Sequence, residues 1–312
     1  MNKKYDAIII GAGVIGAAIA FELAKKGYKT LNVDRLPSAG YGSTSGSCAV
    51  IRFHYSTPDG VATAREGYYY WINWPEYLEV GDELGLVNYI NTGCLVIKTK
   101  LNQYLKNVMT SLEDLGIDFE ELDIEGIKKK FPFLDTRKYF PVKLPDDPGF
   151  AEPTGDVVDG AIFIPESGHI SDPQLSTHNL QRAAEARGGE FIFNAEVVEI
   201  RKKDGKVAGV TLKDGTRIDA PIVVNVAGPH SYIINRMAGV EEGMNIKTRA
   251  LRQEVCHVPP PDGIDYQKEG VMISDGDIGC YSRPETGNHI LVGSEDPACD
   301  EREWVDPDNY DK

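Results

Sequence analysis

The chain has 312 residues, 41% of them hydrophobic and 26% charged, with a formal net charge of −15. That length suits one large or two modest domains with an ample core, and the acidic balance sets the chain against a nucleic-acid partner, since phosphate binding needs clustered Lys and Arg. The five cysteines (Cys48, Cys94, Cys256, Cys280, Cys299) are odd in number and scattered, with no CxxC pair, so a reduced cytoplasmic protein without disulfides or a zinc site is expected.

Residues 5–35 carry the strongest signal. An apolar strand, Ala7-Ile8-Ile9-Ile10, leads into Gly11-Ala12-Gly13-Val14-Ile15-Gly16, then a helix, a second strand over 30–33 and an acidic end at Asp34. Gly11 permits a tight turn, Gly13 lets the backbone approach a pyrophosphate, and Gly16 lets the helix pack closely on the strand. The diphosphate would sit on the helix N-terminus, where Val14 and Ile15 begin the first turn, with Asp34 placed to accept from a ribose hydroxyl and Arg35 next to it. Lys3 and Lys4 ahead of the apolar run imitate a secretion signal. The run nevertheless contains the motif glycines and continues into Glu22, Lys25 and Lys26, so secretion is not expected. No stretch reaches the ~20 apolar residues needed to span a bilayer.

Beyond this unit, 41–56 reads as a Gly- and Ser-rich loop and 58–86 as an aromatic helix whose Tyr and Trp side chains belong to a core. A strand is expected over 88–98, an amphipathic helix over 101–115, an irregular connection over 131–155 and a strand over 161–165. Asp172-Pro173 starts a helix, as N-cap and first helical residue. Asp204-Gly205 and Asp214-Gly215 join a three-stranded meander. Residues 221–226 form a continuous apolar run of the kind buried in parallel sheets.

Four segments together resemble the D-amino-acid oxidase superfamily of flavin-dependent amine and amino-acid oxidoreductases, and within it the sarcosine oxidase and dimethylglycine dehydrogenase group. They are 8–34; Gly42-Ser43-Thr44-Ser45-Gly46-Ser47 followed by Ile51-Arg52; Gly168-His169-Ile170-Ser171-Asp172-Pro173 with Ala195-Glu196-Val197 beyond; and 222–231, which contains Ala227-Gly228-Pro229-His230. The resemblance implies FAD and an α/β fold: a Rossmann-like, GR2-type FAD-binding domain (1–85 and 155–235) interleaved with an α+β substrate domain on an antiparallel sheet (86–154 and 236–312). It implies that Ser43, Thr44, Ser45, Ser47 and Cys48 run beside the flavin and that Val197, Ala227 and Gly228 contact the nucleotide. It places Arg52 as the substrate-carboxylate arginine. Tyr281 and Arg283 fall on a strand over the substrate face, as a hydrogen-bonding group and a positive charge, with a plain strand position as the alternative for each. His54 either tunes the substrate amine or is packed; His169 and His230 are structural or cofactor-adjacent. No metal is expected.

The implied reaction is removal of a hydride equivalent from the carbon beside the amine of a small amino acid, with a partner subunit or other electron acceptor. Ala49 stands where simple sarcosine oxidases carry a second arginine, and no lysine occurs over 271–293, which points to a dehydrogenase. Ser45 and Ser47 replace the histidine of covalently flavinylated members, so the FAD is expected to be non-covalent. The resemblance also implies a family fold continuing past Lys312, and hence weakened FAD affinity and activity in this chain. Oxidation of a 2-hydroxy acid or glycerol 3-phosphate, and a non-catalytic or electron-relaying subunit, are the other readings.

Overall fold

The structure is a computed structural model that describes residues 4–310; Lys3 and Lys312 lie outside them. β1 (Ala7–Ile10) is buried throughout, and α1 (Val14–Lys25) returns the chain to β2 (Thr30–Val33), parallel to β1. Ala17, Ala20, Phe21 and Ala24, at helical spacing, form the buried face of α1; their mostly small side chains bring its axis close to the sheet. β3 (Val50–Ile51) follows the loop, and α2 (Pro58–Ile72) starts where Thr57 accepts the Gly60 N–H.

The helix expected over 58–86 is shorter and broken. Pro75 opens a separate short helix, α3 (Trp74–Leu78), which Glu79 ends in a left-handed conformation, and 79–88 is not helical. Of its aromatics, Tyr68 and Trp74 are buried in the core and Trp71 and Tyr77 pack against it, whereas Tyr69 and Tyr70 are exposed. Trp71 stacks on Trp74 at 4.5 Å, Phe21 meets Tyr77 edge-on, and the Trp74 indole donates to buried Asn179. The strand expected over 88–98 is two, β4 (Tyr89–Asn91) and β5 (Cys94–Ile97), which the turn at Thr92-Gly93 sends to different sheets. Part of the 101–115 helix is a preceding 3-10 turn, leaving α4 (Leu105–Asp114). β6 (Glu120–Leu122) and α5 (Ile124–Lys130), too short for a periodic signal, precede the irregular stretch.

β7 (Ala161–Ile164) and β8 (Gly168–Ile170) lead to α6 (Pro173–Glu185), whose Asp172 cap accepts the Leu175 N–H at 2.9 Å. Asp172→Ala is expected to lower stability by about 1 kcal/mol, read as an earlier urea midpoint with an unchanged slope. β9 (Glu190–Ile192) is followed by the meander β10 (Val197–Lys203), β11 (Lys206–Leu212) and β12 (Arg217–Asp219). β13 (Ile222–Asn225) then pairs parallel with β1, giving a parallel sheet of order β13-β1-β2-β9. The 221–226 run is therefore not central: β13 is an edge strand with Ile222 56% exposed. Its apolar character reflects two covered faces instead, Val224 and Val226 packing on the α1 side and Val223 against the meander core.

α7 (Ser231–Ala238), β14 (Val255–Val258), α8 (Tyr266–Glu269), β15 (Met272–Asp275), β16 (Cys280–Glu285) and β17 (His289–Ser294) complete the fold. A seven-stranded sheet runs β14-β17-β16-β15-β5-β7-β6; it is antiparallel except for the parallel β15–β5 pair. β7 belongs to this sheet, although its residues fall within the 155–235 division. On one face of the sheet the register aligns Cys94 with Met272, and Ser274 with Tyr281 and Gly293. That face meets residues 48–54. No helix among the described residues is long and apolar enough to cross a membrane.

Candidate active site

A cavity of about 360 Å³ opens where β1, β2 and β13 end against the N-terminus of α1. Gly11 turns the chain at φ +113°, and a Cβ there would lie 2.3 Å from the Val226 carbonyl oxygen. A Cβ on Gly16 would lie 2.1 Å from the Gly11 oxygen, so the close helix–strand approach needs glycine at both positions. The Val14 N–H donates to Thr44 Oγ1 at 3.2 Å, tying the Gly/Ser loop to the helix. Among the described residues, the N–H groups of Gly13, Ile15 and Gly16 have no acceptor. A diphosphate fits these free donors and the positive end of the helix dipole.

Twelve of the expected cofactor residues line this cavity: Gly11, Gly13, Val14, Ile15, Gly16, Asp34, Arg35, Ser43, Thr44, Val197, Ala227 and Gly228. Asp34 also locks the turn, accepting the Ala12 N–H at 2.7 Å and the Leu36 N–H at 2.8 Å. Each carboxylate oxygen retains capacity for a second bond. Ser45, Ser47 and Cys48 lie outside the cavity. The Ser45 hydroxyl donates to Gly42 O, Ser47 Oγ accepts the Ala49 N–H, and Cys48 turns toward the second half of the site. Sequence reasoning missed Asp308, whose Oδ1 meets Arg35 at 2.5 Å and His230 at 2.9 Å at the cavity wall.

Arg52 lies beyond that loop, half-buried, with its guanidinium 5.1 Å from the Tyr55 ring. Among the described residues no carboxylate lies within 4.0 Å of its nitrogens. The other arginines that are not exposed (Arg65, Arg182, Arg187, Arg201 and Arg283) each have one. Nη1 of Arg52 donates instead to His54 Nε2 at 3.1 Å. Burial, then the neighbouring Arg52 charge, pushes His54 down to about 3, so its ring is neutral. The hydrogen-bond pattern assigns the ring proton to Nδ1, which faces Cys94 Sγ at 3.9 Å. His54 therefore orients the guanidinium with its one lone pair in use, which agrees with the packed alternative of its two readings.

The sign of the resulting pH effect is fixed. Between about pH 6.5 and 3 the unfolded chain protonates His54 and the folded chain does not. Stability contributed by the neutral ring is complete above pH 6.5 and falls on acidification, by up to ~1.4 kcal/mol per pH unit. Denaturation curves of His54→Asn across that window are expected to show a shallower acid slope than the parent; an equal slope counts against a buried neutral ring.

The Tyr281 hydroxyl lies 2.9 Å from Cys48 Sγ, and burial followed by that contact raises its pKa. Its ring covers Gly293, where a Cβ would be 2.3 Å away. Arg283 is bound into the protein itself. It is 2% exposed; Nε donates to Cys48 O at 2.6 Å, Nη1 to Pro284 O at 2.7 Å, and Nη2 pairs with Glu285 at 2.8 Å. All its nitrogens are engaged, so it clamps the Cys48 loop to β16. His169 sits buried on β8, pushed down to about 4 by burial and by the Arg283 charge.

The fold also brings Asp82, Glu83 and His178 together, a juxtaposition that sequence spacing concealed. Asp82 accepts from His178, Asn179 and the Leu84 N–H, and Arg182 pairs with Glu83, so a guanidinium already supplies the positive charge. The five cysteines are unpaired.

A βαβ unit completed by β13 frames a dinucleotide cavity, and a mixed sheet faces the same loop, an arrangement compatible with the family of FAD dependent oxidoreductases. The model of that family (DAO) matches residues 6–312, and the chain belongs to it. FAD is accordingly the dinucleotide this cavity takes. Among individual relatives, the chain is 28% identical over 255 residues to peroxisomal sarcosine oxidase of Mus musculus, covering 81% of this chain and 57% of that protein. The chain thus spans little more than half of that relative's length. Glycine oxidase from Geobacillus kaustophilus superposes with a TM-score of 0.73 at 21% identity, covering 97% of this chain and 72% of that one. L-proline dehydrogenase from P. horikoshii gives 0.72 at 20% identity, with 96% and 73% covered.

Proposed function

We propose that the chain oxidises the C–N bond of a small secondary or tertiary amino acid, sarcosine-, dimethylglycine- or proline-like. One observation carries the reading: Arg52 is the non-exposed arginine without a carboxylate partner among the described residues, on the loop joining the FAD cavity to the sheet face that bears Tyr281. A half-buried guanidinium left unpaired is costly unless a ligand completes it, and a carboxylate does so through two parallel N–H···O bonds. His54 fixes the guanidinium and Arg283 fixes the loop, so the group that meets the carboxylate is oriented before substrate arrives. Tyr281 supplies a hydroxyl that stays protonated at neutral pH, on the same side. FAD, when bound, supplies the hydride acceptor. The relatives named for sarcosine, glycine and proline support an amino-acid substrate.

A panel of N-methylglycine, N,N-dimethylglycine, L-proline, lactate and glycerol 3-phosphate, assayed on the FAD-loaded chain with a redox dye, tests this. Dye reduction by the amines is expected; reduction by the hydroxy compounds alone overturns the reading.

A further inference from the structure

The sheet face covered by the Arg52 loop also carries an acidic side chain, Glu295. Glu295, just past the end of β17, is partly buried; its Oε1 accepts from Ser274 Oγ at 2.6 Å and its N–H donates to Gly279 O at 2.8 Å. Among the described residues no donor reaches Oε2, and no Lys, Arg or His pairs with this carboxylate. Its place relative to Arg52 follows from the register. Arg52 bonds His54, His54 faces Cys94, and Cys94 sits beside Met272. Ser274, which holds Glu295, is two residues further along the same face of β15, a step of ~7 Å. Burial pushes the Glu295 carboxyl above its ordinary value, and Ser274 and the Arg52 charge draw it back. Among the described residues the two groups form no ion pair within 4.0 Å.

Partly desolvated charges held apart are unfavourable unless each finds a partner. An α-amino acid in its zwitterionic form brings both partners on adjacent atoms of one small molecule. We infer that Glu295 recognises the protonated amine of the substrate while Arg52 holds its carboxylate, so that the site selects zwitterions over simple carboxylates. The inference rests on the reading of Arg52 as the carboxylate grip.

Two ligands of the same shape separate the contributions: N-methylglycine, which carries the cationic amine, and methylthioacetate, which does not. Binding of each to the full chain, its FAD reduced beforehand under anaerobic conditions so that no hydride acceptor remains, is measured by calorimetry. The parent is expected to prefer N-methylglycine by about tenfold or more, the range of a charge-assisted hydrogen bond. Glu295→Gln, which keeps the Ser274 bond, is expected to erase that preference and leave methylthioacetate affinity unchanged; Glu295→Asp is expected to restore part of it. Equal affinity of the parent for both ligands overturns the inference whether or not the variants fold, and so does an equal loss of both ligands in Glu295→Gln. If Arg52→Met leaves methylthioacetate binding intact, the carboxylate grip itself fails and this inference with it. Dependence on Arg52 without dependence on Glu295 removes only the inference.

Discussion

Gly11→Ala is expected to abolish stoichiometric FAD binding and to destabilise the chain by roughly 3–5 kcal/mol. Two costs add. The residue sits at φ +113°, where an L side chain is strained, and its Cβ would come within 2.3 Å of a backbone oxygen, Val226 O, that cannot rotate away. Relief requires β13 to move from β1, or the turn to open, and either change displaces the free N–H groups of the first turn of α1 that take the diphosphate. Gly27→Ala is the internal control: φ is +83° but nothing lies within 4 Å of the new Cβ. That variant bears the strain alone, about 1 kcal/mol, and keeps its FAD. Flavin fluorescence titration and thermal melts of the two variants give the comparison. Equal losses in both variants would mean that the close approach to Val226 is unimportant.

Arg52→Met is expected to lower kcat/KM for an amino-acid substrate by about 10²- to 10⁴-fold, corresponding to two charge-assisted hydrogen bonds of ~1.5–3 kcal/mol each. FAD affinity should be unchanged, because Arg52 does not line the dinucleotide cavity. Arg52→Lys retains charge but not the planar fork and should fall between parent and Met. Loss of the guanidinium could instead act by releasing His54 and the loop, which gives a different pattern. In that case the melting temperature and FAD affinity drop together with activity, and Lys rescues nothing.

What could be read in the sequence follows the range of the interactions involved. The βαβ unit and, further on, the Asp172 cap of α6 were legible because each is decided by neighbours in the chain. The apolar run at 222–225 identified a strand and its parallel setting, but not its edge position, because two covered faces and two flanking strands leave the same hydrophobic signature. The 58–86 helix reading gave too little weight to Pro75, which the short helix uses at its start. Arg283 reads as a site cation because its strand resembles the family segment over the substrate face. Its actual partner is the Cys48 carbonyl, 235 positions away, which no local pattern encodes. Asp308 at the cavity wall, and the absence of a carboxylate beside Arg52, are likewise properties of the folded assembly of charges.

The central claim is spatial, and a crystal structure of the chain with FAD and methylthioacetate measures it most directly. The diphosphate is predicted on the N–H groups of Gly13, Ile15 and Gly16, with the flavin ring beside the 43–52 loop and the ligand carboxylate paired to both terminal nitrogens of Arg52. A diphosphate seated elsewhere, or an Arg52 guanidinium turned away from ring and ligand, contradicts it.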